Sequence, residues 1–159
     1  MGDPKQQRSR IESPLKAWDK RRIESEKALL KEFGLRRTRE LRRAESILRA
    51  FRRQARETGA TKNEKGQKEL IARVSRISLV GDKSNIDDVL GLNVNDVLSR
   101  RLQTILFKKG MANTLAQSRQ MITHGHVVLG TKRIVWPSFI VPKELEDRIK
   151  IVGVDVKRR

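Results

Sequence analysis

Apolar residues recur at helical spacing through most of the chain and change to strand spacing near its end. The most regular stripe has intervals of three and four residues and predicts an amphipathic helix that ends before Gly59. A broken stripe before Gly34 predicts an earlier helix, which begins at Ser13-Pro14 or nearer Lys20. The regular stripe consists of Leu41, Ala44, Leu48, Phe51 and Ala55.

The middle of the chain has a weaker pattern. Apolar residues at Leu70, Ile71 and Val74 predict a third helix. Ser84, with an acidic residue three positions later at Asp87, predicts the cap of a short helical turn. This section supplies apolar surface, and we expect it to pack between the two ends of the chain.

Two capped helices are predicted between residues 93 and 125. Asn93 and Asp96 suit the start of the first helix, because an Asn oxygen accepts a free N–H and an acidic charge favours the positive helix end. Gly110 suits the end of that helix. Thr114, followed three residues later by Gln117, matches a capping box at the start of the second.

Beyond the second helix the period changes to two. Residues 126–135 predict a β-hairpin around Gly130 and Thr131. Residues 139–141 and 148–152 predict two further short strands. We expect this sheet to be antiparallel, because its strands are short and closely connected.

Together the patterns predict an α+β fold, in which an N-terminal helical subdomain precedes a helix pair and a short antiparallel sheet. The aromatic side chains of Trp136 and Phe139 are predicted to lie in the core. The predicted organisation is a basic extended arm at 1–12, a helical domain at 13–92, a helix-pair and sheet domain at 93–155, and a basic tail at 156–159.

The charge of the chain predicts a binding function in addition to the fold. The 159 residues carry a net charge of +18, with 35% charged residues. Residues 1–60 hold 18 Lys+Arg against 9 Asp+Glu, residues 61–97 hold 6 of each, and residues 98–159 hold 13 against 4. Two cationic blocks flank a neutral one, which indicates two surfaces that bind one polyanion, and nucleic acid supplies the phosphates.

Arginines occupy the polar faces around the most regular helix. The arginine fork can bond phosphate oxygens in pairs, and only Glu40, Glu45 and Glu57 are available nearby as acidic partners. A polyanion-binding face is therefore favoured over a solvated face of ion pairs. The candidates are Arg36, Arg37, Arg39, Arg42, Arg43, Arg49, Arg52, Arg53 and Arg56, with Lys5, Arg8 and Arg10 on an arm that is either a frayed terminus or an RNA contact.

Other chemistry has little support. The chain has no Cys, so it has no disulfide or Cys-based zinc site, and it has only two His. We find no phosphate-binding Gly loop, carboxylate pair or Ser–His–Asp arrangement, so we expect no enzyme and no cofactor. His124 and His126 suit contact with a phosphate or a base, although they equally suit hydrogen bonds to helix carbonyls. No stretch resembles a membrane span or a signal peptide, and we expect a cytosolic protein.

Several motifs, in order along the chain, resemble the family of ribosomal small-subunit protein four (S-four) in its archaeal form. Many bacterial relatives hold a zinc ion with N-terminal Cys residues, which this chain lacks. Residues 129–132 also replace an Asn-Gly turn that is common in the family. The matching segments are residues 1–5, 88–92, 100–104, 109–112, 116–120, 124–126 and 137–141.

The resemblance implies a non-catalytic structural protein of the small ribosomal subunit, with an S-four-type RNA-binding domain at 93–155. It implies binding to ribosomal RNA early in assembly, at a multi-helix junction of the 5′ domain. It also implies a location in the cytoplasm, near the mRNA entry site and beside small-subunit protein five. The positions that match the family's RNA contacts are Arg100, Arg101, Gln117, Ser118, Arg119, Gln120, His124, His126, Lys132 and Arg133.

Three other classes share parts of this pattern. A ribosome-assembly factor with the same domain would bind precursor RNA and then leave, but the archaeal-type opening residues argue against it. An RNA-modifying enzyme would need a catalytic domain, and no remaining stretch is long enough. A basic DNA-architectural protein would explain the charge but not the capped helix pair with its hairpin.

Overall fold

Three helices form the first half of the fold, around one apolar core. The computed structural model describes residues 11–12, 14–61, 63–81 and 84–153. The helices are α1 (Lys20–Glu32), α2 (Thr38–Ala60) and α3 (Glu64–Arg76). The side chains of α2 that face the core are those of the predicted stripe, because Leu41, Ala44, Leu48 and Ala55 are all buried.

The helix ends differ slightly from the prediction. The Asp19 side chain accepts a hydrogen bond from the Arg21 N–H at 3.1 Å, which fixes the start of α1 at the later of the two predicted positions. Gly34 ends the α1 region with a φ of +58°. Gly59 was predicted to lie beyond α2 but lies inside its last turn, since the helix continues to Ala60.

A short helix, α4 (Ile86–Gly91), follows α3. Its cap was predicted one residue too early. The capping residue is Asn85, and the Asp88 carboxylate accepts a hydrogen bond from the Asn85 N–H at 2.9 Å. Asn and Asp at this spacing satisfy two free N–H groups at once, which the Ser84 and Asp87 pair does not do here.

The first helix predicted after residue 93 is divided into two. These are α5 (Val94–Ser99), which has the expected Asn93 and Asp96 capping box, and α6 (Leu102–Lys108). The helix breaks because the backbone at the junction bonds elsewhere. The Leu102 N–H donates to the Phe139 carbonyl at 2.7 Å, and the Val141 N–H donates to the Arg100 carbonyl at 3.0 Å. These long-range bonds replace intrahelical ones.

The second half closes with a helix and a three-stranded antiparallel sheet. The elements are α7 (Leu115–Thr123), β1 (Val127–Leu129), β2 (Lys132–Arg133) and β3 (Ile149–Ile151), and the strand order is β2-β1-β3. Gly130 opens the two-residue hairpin turn with a φ of +64°, as a turn with Gly in first position requires.

Three predictions for the end of the chain need correction. Residues 139–141 form one isolated bridge, between Arg101 and Ile140, and not a strand. The polar residues 143–147, whose composition predicts a turn, belong to a 3-10 helix (Lys143–Arg148). Trp136 was predicted in the core but is 62% exposed, whereas Phe139 packs against the second core as predicted.

The apolar interior has two parts that meet between α5 and α6. The first core extends from Phe33 to Leu98 and the second from Leu102 to Ile149. The predicted α+β fold is confirmed. The domain division at residues 92 and 93 stays a prediction, and α5 packs with the first core although it follows that division.

Candidate nucleic-acid interface

Arginines on α2 form a stripe on the face opposite the first core. The buried residues and the exposed arginines lie on opposite sides of α2, about half a turn apart. Arg36 and Arg37 are exposed just before the helix begins. We call the exposed helical set the α2 arginine stripe: Arg39, Arg43, Arg49, Arg53 and Arg56.

Few of these charges are neutralised. Arg49 lies 2.9 Å from a Glu12 carboxylate oxygen, and Arg53 lies 3.8 Å from Glu57. Both pairs are well exposed, so they contribute little to stability. Within the described part of the chain, the other three members of the stripe have no ion pair. This face therefore needs anions from another molecule or from the solvent.

A groove of about 520 Å³ lies along the end of the stripe, lined by Ser46 and several arginines. Arg42 and Arg52 are half-buried at the border of the stripe. The Arg52 guanidinium donates a hydrogen bond to the Leu92 carbonyl, at the end of α4. Arg52 is thus partly committed to holding α2 against α4, although the sequence predicted it as an RNA contact.

A second groove, of about 250 Å³, lies beside α7. The cap of this helix fixes its position, since the Thr114 hydroxyl accepts a hydrogen bond from the Gln117 N–H at 3.1 Å. The Gln117 side chain accepts from the Asn113 N–H at 2.8 Å, and not from the Thr114 N–H that a full capping box requires. The groove is lined by Gln117, Gln120, Met121, His124 and His126.

The two histidines stand side by side at the exit of α7. Their ring centroids are 6.2 Å apart and their planes differ by 18°. Gly125, with a φ of +76°, turns the chain between them. The His126 Nδ1 lies 3.2 Å from the Val152 carbonyl oxygen. A hydrogen bond between them requires the proton on Nδ1, because a carbonyl only accepts, and that tautomer leaves Nε2 for a ligand.

The hairpin adds two exposed cations beside this groove. Lys132 and Arg133 lie on β2, at one edge of the sheet, and both are exposed. Arg133 also covers Gly125, where an added Cβ would lie 3.1 Å from the Arg133 Cδ. The groove and the hairpin are therefore adjacent parts of one surface.

One carboxylate joins the two halves of the chain through a three-residue ion cluster. Glu40, on α2, accepts from Arg101 at 2.6 Å and from both terminal nitrogens of Arg119, at 3.1 and 2.8 Å. Burial on its own raises the pKa of Glu40. The hydrogen bonds and charges of Arg119 and Arg101 outweigh burial, so that the Glu40 pKa lies below its ordinary value.

Arg101 is the innermost member of this cluster, with 5% of its surface exposed. Burial lowers the pKa of its guanidinium, and the hydrogen bond and charge of Glu40 oppose that effect. Arg100 is also engaged within the chain. It lies 2.7 Å from Glu146 and donates to the Val141 carbonyl at 3.3 Å.

Comparison with known proteins indicates the family of this chain. The S4 domain family matches residues 100–149. The chain is 44% identical over 155 residues to small ribosomal subunit protein uS4 of Picrophilus torridus. The aligned residues cover 94% of this chain and 85% of that protein. The chain is 42% identical over 153 residues to uS4 of Sulfurisphaera tokodaii, covering 94% and 86%.

The chain belongs to the uS4 family. The S4 domain is an RNA-binding domain, and the uS4 relatives are ribosomal proteins of the small subunit. A third archaeal relative, uS4 of Saccharolobus solfataricus, is 42% identical over 94% of this chain. The resemblance to the archaeal S-four family is therefore confirmed along most of the sequence.

Two of the residues predicted to contact RNA have buried side chains in this structure. Arg101 is buried against Glu40, and Ser118 is fully buried in α7. Neither side chain faces solvent, so neither can touch RNA in this conformation. The Arg119 side chain is 25% exposed, and both of its terminal nitrogens donate hydrogen bonds to Glu40. Arg101, Ser118 and Arg119 stabilise the packing beneath the surface. The exposed residues form the surface itself.

The hub of the cluster, Glu40, was read from the sequence only as a possible ion-pair partner along α2. No local signal reveals its role, because its partners lie 61 and 79 positions away. The arm residues Lys5, Arg8 and Arg10, and the basic tail at 156–159, lie outside the described residues. Their predicted contacts stay predictions.

Neither a metal centre nor a membrane-spanning helix is found among residues 11–12, 14–61, 63–81 and 84–153. Across these ranges, no three His, Asp or Glu side chains are grouped so that they could hold a metal ion. None of the described helices is long and apolar enough to cross a bilayer.

Proposed function

We propose that this protein is a structural component of the small ribosomal subunit that binds ribosomal RNA through two cationic surfaces. One surface is the α2 arginine stripe, and the other is the groove beside α7 with the adjacent hairpin. Membership of the uS4 family supports the subunit and the RNA class. The observation that carries the proposal is the charge of Arg39, Arg43 and Arg56, which have no ion pair among the described residues and face away from the core.

The two surfaces have different chemistry and suit different parts of RNA. Arginine forks on α2 suit phosphate oxygens, which they bond in pairs. Gln117, Gln120 and the histidine pair offer neutral donors, acceptors and flat rings, which suit base edges and base faces. The proposed direct contacts are therefore the exposed residues of both surfaces, with Lys132 and Arg133 on phosphates.

The finer role that we propose follows from the family resemblance. The protein binds early in assembly, at a multi-helix junction of the 5′ domain, and helps to nucleate that domain. Its assembled position is near the mRNA entry site, beside small-subunit protein five. Joining two RNA-binding surfaces rigidly through Glu40 supports this role, because a rigid protein can fix the angle between RNA helices.

A footprint on naked small-subunit RNA tests the proposal most directly. Purified full-length protein is added to a transcript of the 5′ domain, and nucleotide protection is mapped without other proteins. Protection at one multi-helix junction is expected. Scattered protection, or protection that needs other subunit proteins first, would refute primary binding.

A sedimentation experiment separates a resident protein from an assembly factor. Mature small subunits are washed in high salt and pelleted, and the protein is quantified in the pellet. The proposal predicts that it stays with the subunits in stoichiometric amount. Its presence only in precursor particles would favour the assembly factor instead.

A further inference from the structure

The outer face of the sheet brings His126 and Arg133, two of the proposed RNA contacts, together with three residues that the family resemblance does not assign. These three are Val135, Lys150 and Val152. Val128 pairs with Arg133 on β2 and with Lys150 on β3. Directly opposite residues of a ladder point to the same face. Since Val127 and Leu129 are buried in the core, Val128 and its two partners lie on the opposite, outer face.

The same face extends by one more row of residues. The Val152 N–H donates to the His126 carbonyl at 2.8 Å, which continues the pairing of β1 with β3. The Ile134 N–H donates to the Val127 carbonyl at 3.0 Å, which places Val135 beside His126 on the β2 side. Val135 and Val152 are 41% and 51% exposed. The outer face thus has His126 at its centre with an exposed valine on each side.

The charges on this side of the domain are segregated. Lys150 and Arg133 are exposed on the two outer strands, about 10 Å apart across β1. Two of the acidic residues that precede β3 face other partners, since Glu146 pairs with Arg100 and Asp147 lies 3.1 Å from Lys109. The outer face is left with cations around an apolar centre.

We infer that this outer sheet face binds a nucleotide segment of the RNA, with its base or ribose on His126 and the valines and its phosphates on Arg133 and Lys150. The inference rests on the proposed function and adds a subsite to it. RNA is favoured over an acidic protein strand for two reasons. Arg133 and Lys150 flank an apolar centre, an arrangement that suits phosphates on either side of a base or ribose. The face also shares His126 with the groove beside α7.

The subsite is tested with Lys150→Ala in the full-length protein, titrated against the 5′-domain transcript at several salt concentrations. We expect affinity to fall about threefold to tenfold and the salt slope to drop by about one, as for one lost phosphate contact. The matched control is Lys68→Ala, which removes the same charge from an exposed position on α3. We expect the control to leave the slope unchanged.

Removal of the apolar contact is tested separately with Val152→Ser, which keeps the charge. Affinity should fall several-fold with an unchanged salt slope, because no phosphate contact is lost. The thermal unfolding of both variants should match that of the wild type, since Lys150 and Val152 are exposed. Unchanged RNA affinity in both variants would refute the subsite.

A photo-crosslinking side chain at position 152, in assembled subunits, identifies what covers the face. An adduct that is sensitive to ribonuclease supports the inference, and an adduct to another protein overturns it. Failure of the wild type to bind the transcript would refute the proposed function itself. Wild-type binding that is indifferent to Lys150→Ala and Val152→Ser would refute only the subsite.

Discussion

At the scale of single residues, Glu40 is the side chain that couples the two cationic halves. Its carboxylate lies between two guanidinium groups, one of them buried, and it accepts three hydrogen bonds from them. Without Glu40, Arg101 would be a buried charge with no carboxylate beside it in the described part of the chain. An unpaired buried charge is costly, so this one carboxylate should have a large effect on stability.

We expect Glu40→Gln to lower the free energy of unfolding at pH 7 by about 2–4 kcal/mol, because it leaves Arg101 without its counter-charge. The folded-state pKa of Glu40 is depressed below the ordinary value of 4.5, so its stabilisation is complete above that pH. It is lost as the pH falls through the lower folded-state pKa. The difference between wild type and variant should therefore shrink in acid.

Denaturant unfolding of both proteins from pH 7 down to pH 3 measures this difference. The control is Glu45→Gln on the same helix. The Glu45 carboxylate has no ion pair among the described residues. A variant gap that stays constant across the pH range would contradict the assigned role of Glu40.

Gly34 sets how closely the two halves approach each other. An added Cβ at this position would lie 2.7 Å from the Leu115 Cβ, and the φ of +58° disfavours any L side chain. Gln103 spans the same joint, donating to the Gly34 carbonyl at 3.0 Å and to the Leu115 carbonyl at 3.1 Å. The joint leaves no room for a methyl group.

We therefore expect Gly34→Ala to destabilise the protein by about 1–3 kcal/mol, through the clash and the unfavourable backbone conformation. Gly59→Ala is the matched control, because it lies within α2 and a Cβ there meets nothing within 4 Å. The control should stabilise by about 0.5–1 kcal/mol. Thermal or denaturant unfolding compares the two, and equal effects would show that the joint is not close-packed.

At the scale of elements, α2 serves two functions with its two faces. One face supplies four of the buried residues of the first core, and the opposite one carries the arginine stripe. Because the faces are separate, the binding surface can be altered without disturbing the core. The same helix also carries Glu40, so it connects RNA contact, packing and the joint between the halves.

The triple variant Arg39→Ala, Arg43→Ala, Arg56→Ala tests the stripe. We expect the slope of log affinity against log salt to fall by about two, because each lost phosphate contact contributes about 0.7–0.9. Stability should be unchanged, since all three side chains are exposed. A control triple at Lys27, Lys31 and Lys68, all exposed on other helices, removes the same charge elsewhere. Equal slopes for the two triples would show that net charge alone drives binding.

Some of the elements could be predicted from the local sequence, and others could not. The α2 stripe and the cap at Asn93 depend on neighbours three or four positions away, and both were predicted. The break at Arg100 and Arg101 was not, because it depends on backbone bonds to residues 139–141. The exposure of Trp136 was missed for a related reason, since local pattern does not say which short segments enter the sheet.

The candidate site shows the same limit. Arginines between the apolar positions of an amphipathic helix predict a cationic face. Most of the stripe could therefore be predicted from the composition of the helix and the spacing of its apolar residues. Arg101 and Ser118 were expected at the surface because the uS4 family resemblance does not convey burial. Their interior positions, with the role of Glu40, follow only from tertiary packing.

At the scale of the whole molecule, two cationic surfaces are held in one orientation by a packed and ion-paired joint. The net charge of +18 opposes compaction, and RNA phosphates would relieve it. Binding should therefore stabilise the protein as well as organise the RNA. Both effects depend on counterion release, which makes ionic strength the most informative variable.

The central measurement is the affinity of the full-length protein for a folded 5′-domain transcript as a function of salt. An unrelated structured RNA of equal length serves as the competitor. If both surfaces engage, with about 6–10 phosphate contacts, affinity should fall by about 10³–10⁵ between 50 and 200 mM salt. The preference for the ribosomal transcript should persist across that range. A folded protein that binds both RNAs equally, or with a shallow salt dependence, would contradict the account.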